Sequence, residues 1–250
     1  MFDIEFDLKE MEASNCLITA TNRMGKSRLA CGIAHNLKNW NWVIYAFDPC
    51  GNYKEISDIP HRIKIYPEQD LPVLPINTSV VIDLSLLTPS EQQVIVNFYL
   101  QELWNYKVIH QCTQWHCILL EEMHNYARNV RGFVSQNLLR IMSQGRNQKI
   151  RVLGVAVDLA LIDPAFIRLC QQRYHGRLGI EENSKRKFRS YYGKDFMEIA
   201  VNGLDVGDFL YINGSKIQIT SVPLFTPDKT PQLLTIPKRT IKERIINALK

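Results

Sequence analysis

The sequence has no run of apolar residues approaching the ~18 that a membrane-spanning helix needs, so no span is expected. Glycine (12) and proline (11) are sparse in 250 residues, and no repeat of fixed period is visible, which excludes collagen-like and low-complexity chains and argues against a solenoid. The six cysteines, Cys16, Cys31, Cys50, Cys112, Cys117 and Cys170, include no C-x-x-C pair. Most lie in apolar runs, where a reduced thiol packs as a small hydrophobe, and no zinc site is expected. The start, Met1 to Asp7, alternates acids with apolar residues and lacks the basic opening and apolar stretch of a secretory signal. The chain is therefore expected to stay inside its cell.

What is present is enough apolar material for a sizeable core: 46% of residues are hydrophobic and 22% charged. The length allows one large α/β domain or two small ones. The formal charge of +5 permits a nucleic-acid partner without requiring one. The organisation is one of alternation. Apolar runs at Cys16 to Thr19, Trp42 to Phe47, Arg62 to Tyr66, Val80 to Asp83, Cys117 to Leu120 and Val152 to Val157 read as strands. Between them, Leu29, Ile33 and Leu37 mark one helix, and a second is expected around Phe133 to Ser143. A third is signalled after Thr88 by Pro89, by Glu91 at the capping-box position, and by Val94, Ile95, Phe98 and Leu103. Strands without polar alternation, separated by helices, predict a mainly parallel sheet covered on both faces. Ligands then bind at the carboxyl ends of the strands. Beyond Ile180 comes a polar, basic stretch, Lys185 to Arg189, and then a C-terminal β-hairpin about Asn213-Gly214. The tail carries Ile241, Ile245 and Leu249 on one face of a last short helix, expected to dock on its own domain.

The chemistry starts after the first strand. Ala20-Thr21-Asn22-Arg23-Met24-Gly25-Lys26-Ser27 fits the phosphate-loop pattern G-x-x-x-x-G-K-[ST], with alanine for the first glycine. Loop and helix amides would point at phosphate oxygens, Lys26 would reach the β- and γ-phosphates, and the Ser27 hydroxyl would bind Mg²⁺. The nucleotide-binding set accordingly runs through Ala20, Thr21, Asn22, Arg23, Met24, Gly25, Lys26, Ser27 and Arg28. A second apolar strand delivers Glu121 and Glu122 to the same edge. One acid near Mg²⁺ and the next on the attacking water is what ATP hydrolysis requires, and Glu121 and Glu122 take these roles in turn. Phosphate transfer to a small molecule fits less well, because no arginine-rich lid segment is present.

These residues, with Asp48-Pro49-Cys50-Gly51-Asn52-Tyr53 at the second strand's end, Glu121-Glu122-Met123-His124, and Gln144-Gly145-Arg146 leading to Asp158 and Asp163-Pro164, resemble the HerA/FtsK superfamily of DNA-pumping ATPases. The resemblance covers roughly residues 15 to 223. It implies an α/β, RecA-like P-loop NTPase fold, with one motor domain over 1–225 and a proline-punctuated tail over 226–250. It further implies ATP and Mg²⁺ as ligands, double-stranded DNA as substrate, and a homo-oligomeric ring, a hexamer, in which one subunit's arginine reaches the neighbour's γ-phosphate. Arg146 is the first candidate for that finger and Arg173 the second. Asp158 stands where the family carries a polar sensor, as a water-orienting acceptor or in place of a sensor that has moved. Ala20 and Arg23 replace glycines usual in the family's phosphate loop, and Glu121 replaces its aspartate.

For DNA phosphates, the basic candidates are Lys185, Arg186, Lys187 and Arg189, with Phe188 as a stacking or packing group; Arg128 and Arg131 are candidates for lining a central channel. With about fifteen residues before the first strand, the layout resembles the genome-packaging ATPases of membrane-containing viruses. Packaging, with capsid or other virion proteins as partners and a host-cytoplasmic or virion location, is the favoured expectation. Plasmid transfer, repair-linked translocation and a non-motor ATP-binding scaffold stand behind it.

Overall fold

A computed structural model describes residues 8–67, 69–128, 135–223, 227 and 232–233. In chain order the elements are α1 (Leu8–Ala13), β1 (Asn15–Thr19), α2 (Lys26–Asn39), β2 (Val43–Asp48), α3 (Tyr53–Ile56), β3 (His61–Lys64) and β4 (Val80–Asp83). They continue with α4 (Pro89–His110), β5 (His116–Leu120), α5 (Gln136–Gln144), β6 (Ile150–Ala156), α6 (Pro164–Arg168) and β7 (Cys170–His175). The last are α7 (Glu182–Tyr192), α8 (Lys194–Asn202), β8 (Asp208–Asn213), β9 (Lys216–Ser221) and β10 (Gln232–Leu233).

The strands form one sheet in the order β10-β3-β4-β2-β5-β6-β1-β7-β8-β9. Pairing is parallel from β10 through to β7, and antiparallel between β7 and β8 and within the β8–β9 hairpin. The strands β1, β2, β4, β5 and β6 are buried along their whole length, as their unbroken apolar runs predict. Alternate residues feed two separate cores. Cys16 and Ile18 pack beneath α2 with Leu29, Ile33 and Leu37, whereas Leu17 faces the side covered by α4 through α8. The capping box at α4 is formed: the Glu91 amide donates to Thr88 Oγ1 at 3.3 Å, and the Thr88 amide to Glu91 Oε2 at 2.7 Å.

Several elements depart from the sequence reading. β7 went unread because its sequence, CQQRYH, is mostly polar, yet it pairs with β1 along its length. The basic stretch Lys185 to Arg189, to which the sequence reading assigns no element, lies in the helix α7, whose buried Ser184 and Phe188 lie one turn apart on its inner face. The α5 helix starts at Gln136, capped by Ser135, and Phe133 lies outside the described residues. Of the tail, Gln232–Leu233 adds a parallel strand to β3 at the sheet edge opposite the hairpin. The expected terminal helix lies outside the described residues. Among those described, no helix is long and apolar enough to cross a membrane.

One buried side chain fixes the position of β1. Asn15 donates from Nδ2 to the carbonyls of Met142 (2.9 Å) and Leu169 (3.0 Å) and accepts from the Val152 amide at Oδ1 (3.0 Å). It therefore ties β1 to α5, β6 and the residue before β7. Asn15→Ala strands three buried polar groups and is expected to lower stability by about 2–4 kcal/mol. In urea unfolding the midpoint falls while the slope stays unchanged.

Candidate active site

Because β2, β5, β6 and β1 are adjacent and parallel, their carboxyl ends come together at one edge. Phe47 lies beside Leu120, and Thr19 beside Ala156. The root of the phosphate loop is held from both sides: the Ala20 amide donates to Ala156 O (3.3 Å) and the Thr21 amide to Arg177 O (3.0 Å). Gly25 sets the start of α2 at φ 88°, and no side chain caps the helix. The first-turn amides, which have no partner within a helix, are thereby left for an anion. Lys26 Nζ donates to Thr21 O at 2.9 Å, folding the ammonium across the loop. Burial lowers the Lys26 pKa, and Glu121 and Glu122 oppose that shift.

The loop's departures from the glycine pattern have local geometry behind them. Arg23 sits at φ 66° with its side chain exposed, a backbone state that suits glycine. Ala20 is fully enclosed, and a Cβ on Gly176 would lie only 2.7 Å from the Ala20 methyl. The methyl just after β1 occupies space that the glycine following β7 leaves open.

The acids meet the loop directly. Ser27 Oγ donates to Glu121 Oε1 at 2.8 Å, and the Tyr53 hydroxyl donates to Glu121 Oε2. Burial pushes the Glu121 pKa up to about 7; the bonds from Tyr53 and Ser27 pull it down, while Glu122 and Asp48 add to the rise. A hydroxyl and a carboxylate in contact are hard oxygen donors that fit Mg²⁺, and a cation there would favour the ionised carboxylate. Glu122, next along, has φ 51° and is only partly buried, with Oε2 3.3 Å from His124 Nδ1. Burial lowers the His124 pKa and Glu122 works against that shift. A partly exposed carboxylate beside a buried one can accept a proton from water while its neighbour holds a cation.

The structure distributes the other candidates unevenly. Asp158 follows β6 at the same edge, but its Oδ1 accepts from the Ala160 amide (2.7 Å) and its Oδ2 from Ser184 Oγ on α7. Arg128 is exposed, 3.4 Å from Asn125 Oδ1, and Arg131 lies outside the described residues. Arg146 is exposed in the 3₁₀ turn Gly145–Gln148 ahead of β6, at the amino edge of the sheet. Arg173 gives its guanidinium to Cys170 O, Ile167 O and Tyr192 Oη. On α7, Lys185, Arg186 and Arg189 line a cleft of about 430 Å³ against α8. Lys187 instead turns inward to Ile162 O (2.6 Å), and Phe188 packs edge-on to His175, which removes the stacking option. Helical periodicity is the reason, since both fall on the inner face. The sequence reading missed Tyr53 as a site residue; its place in the turn Asp48 to Tyr53 was the available signal.

The family described as "Helicase HerA, central domain" matches residues 2–151. No curated protein matches the chain. Among solved structures, the genome packaging NTPase B204 from Sulfolobus turreted icosahedral virus 2, in complex with ATP-gammaS, is similar at 14% identity and TM-score 0.61, over 85% of this chain and 99% of that one. The bacterial conjugative coupling protein TrwB matches at 8% identity and TM-score 0.67, over 88% of each chain. VirB4 of Thermoanaerobacter pseudethanolicus matches at 12% identity and TM-score 0.63, over 84% of this chain and 89% of that one. At these identities the likeness is one of fold.

The Ala20–Gly176 contact is testable by a double-mutant cycle. Gly176→Ala is expected to destabilise by about 1–3 kcal/mol through overpacking. Adding Ala20→Gly should recover part of that loss in thermal unfolding, leaving a coupling of at least about 0.5 kcal/mol.

Proposed function

We propose that this chain, which belongs to the family of the HerA helicase central domain and is a P-loop ATPase of that type, couples ATP hydrolysis to the movement of double-stranded DNA. The observation that carries this reading is the meeting of Ser27, Glu121 and the folded-over Lys26 at one edge of the sheet. Ser27 and Glu121 would hold Mg²⁺, which supplies charge neutralisation at the β- and γ-phosphate oxygens. Lys26 exchanges Thr21 O for those oxygens. The amides from Asn22 to Arg28 cradle the phosphates. Glu122 orients the attacking water and takes its proton, and its partial exposure gives that water a route in.

Arg146 serves the neighbouring subunit. The seven residues of β6 separate it from its own phosphate loop by ~23 Å at ~3.3 Å per residue, too far for an arginine side chain. A hexameric ring places it against the next site, where it neutralises charge developing in phosphoryl transfer. Asp158, with both oxygens engaged, holds the loop after β6 to α7 and orients water only through that loop. On the DNA side, Lys185, Arg186 and Arg189 contact backbone phosphates, which carry no base information and suit sliding. Arg128 and Arg131 line the channel. Lys187 contributes through the position of α7, since its ammonium is bound to carbonyls.

The fold shared with B204, a genome packaging NTPase, supports packaging into a virion, with capsid proteins as partners, as the process served. The fold shared with TrwB supports plasmid transfer as the second reading.

The ATPase rate with and without duplex DNA tests the motor. Duplex DNA is expected to raise wild-type turnover, and Glu122→Gln to lower it at least about a hundredfold while nucleotide still binds. No stimulation together with undiminished turnover in that variant would sink the reading. Mixed Arg146→Ala and Glu122→Gln subunits should regain activity through composite sites that neither variant forms alone. Mixtures as inactive as the parents would exclude a trans role for Arg146.

A further inference from the structure

We propose that Tyr53 is a positioning residue for the hydrolytic site, its hydroxyl holding one oxygen of Glu121 so that the other faces Ser27. The inference rests on the ATPase reading and deepens it at a residue outside the two nucleotide motifs.

Tyr53 is fully enclosed at the first turn of α3. Its placement comes from the end of β2. Asp48 Oδ1 accepts from the amides of Cys50 (3.1 Å) and Gly51 (2.8 Å), and Oδ2 from the amide of Tyr53 itself (2.8 Å). Gly51 completes this turn at φ 74°, packed against Ser85. A buried carboxylate accepting three amides makes a stiff bracket, and the phenol ring projects from it to the strand alongside. There the hydroxyl meets Glu121 Oε2, while Oε1 receives Ser27 Oγ.

The length of the acid gives this bond its work. Glutamate has one more rotatable bond than aspartate, so a carboxylate at the end of β5 has more orientations to lose when it is fixed. Two donors from opposite directions, one on the phosphate-loop helix and one on the turn after β2, remove that freedom. Partners that orient a metal-binding group typically affect metal affinity or activity 10- to 100-fold when removed.

Tyr53→Phe keeps the ring and deletes only the bond. The experiment is a thermal-shift titration of the full chain with ATP-gammaS, run without divalent ion and then with increasing Mg²⁺. Expected in Tyr53→Phe are an unchanged shift without Mg²⁺ and a roughly tenfold higher Mg²⁺ midpoint. A role confined to packing would leave the Mg²⁺ midpoint where the wild type has it, and that result overturns the proposal. Glu121→Asp retains the carboxylate but draws it away from the ring, so it should raise the midpoint with Tyr53 intact. Adding Tyr53→Phe to it should then change nothing further, and additive effects overturn the proposal. Ser27→Ala separates the premise from the inference. If wild type shows no Mg²⁺-dependent shift, or Ser27→Ala keeps it, the Ser27–Glu121 reading fails and the Tyr53 role with it. If Ser27→Ala abolishes the shift and Tyr53→Phe matches wild type, only the Tyr53 role fails.

Discussion

The hydrogen bond from Ser27 Oγ to Glu121 Oε1 joins segments 94 residues apart, and its existence depends on strand order. β1 and β5 are not neighbours; β6 lies between them, and β2 flanks β5 on the other side. Parallel register across these four strands brings the phosphate loop, the Asp48 turn, the paired glutamates and the loop carrying Asp158 to one edge. Antiparallel pairing of any one would send its functional residue to the far edge, where Arg146 lies. The largely apolar runs that bury these strands on both faces are thus also what brings the candidate site together.

The phosphate loop tolerates its missing glycines through two different physical routes. At Ala20 the methyl is accommodated because Gly176 opposite has no side chain. At Arg23 the backbone remains left-handed, a state costing an L-residue roughly 1–2 kcal/mol, and the side chain goes to solvent. Glu122 adds a second positive φ at the same edge. Strained backbone at a site persists only where surrounding contacts over-determine it. Here the Ala20 and Thr21 amide bonds and the Asp48 bracket supply such contacts.

The basic helix α7 has two faces with different surroundings. Its inner face is wired to the nucleotide edge: Ser184 donates to Asp158, and Lys187 donates to Ile162 O beyond the same loop. Tyr192, at the end of the helix, bonds His175, which in turn bonds Thr19 just before the phosphate loop. Burial drives the His175 pKa down to about 3, so the ring is neutral and serves as a fixed link between two hydroxyls. Its outer face carries Lys185, Arg186 and Arg189 beside the cleft with α8. α7 thus carries charge on its outside and polar links on its inside.

Much was legible from local pattern because it is encoded locally. Apolar runs too short for helices marked the buried strands, Thr88-Pro89-Ser90-Glu91 marked the start of α4, and the loop before Lys26 announced a phosphate site within a strand-loop-helix context. What remained hidden lacked a local signature. β7 carries polar side chains at buried as well as exposed positions, α7 read as charge because only Ser184 and Phe188 on it are buried, and Lys187 and Phe188 changed meaning once helical phase turned them inward. Sequence by itself determined the composition of the candidate site: a lysine, a serine and two glutamates expected at the carboxyl ends of two strands. Only tertiary structure decided that Tyr53 holds Glu121, that Gly176 makes room for Ala20, and that Arg146 lies beyond reach of its own loop, because each depends on which strands lie side by side and in what register.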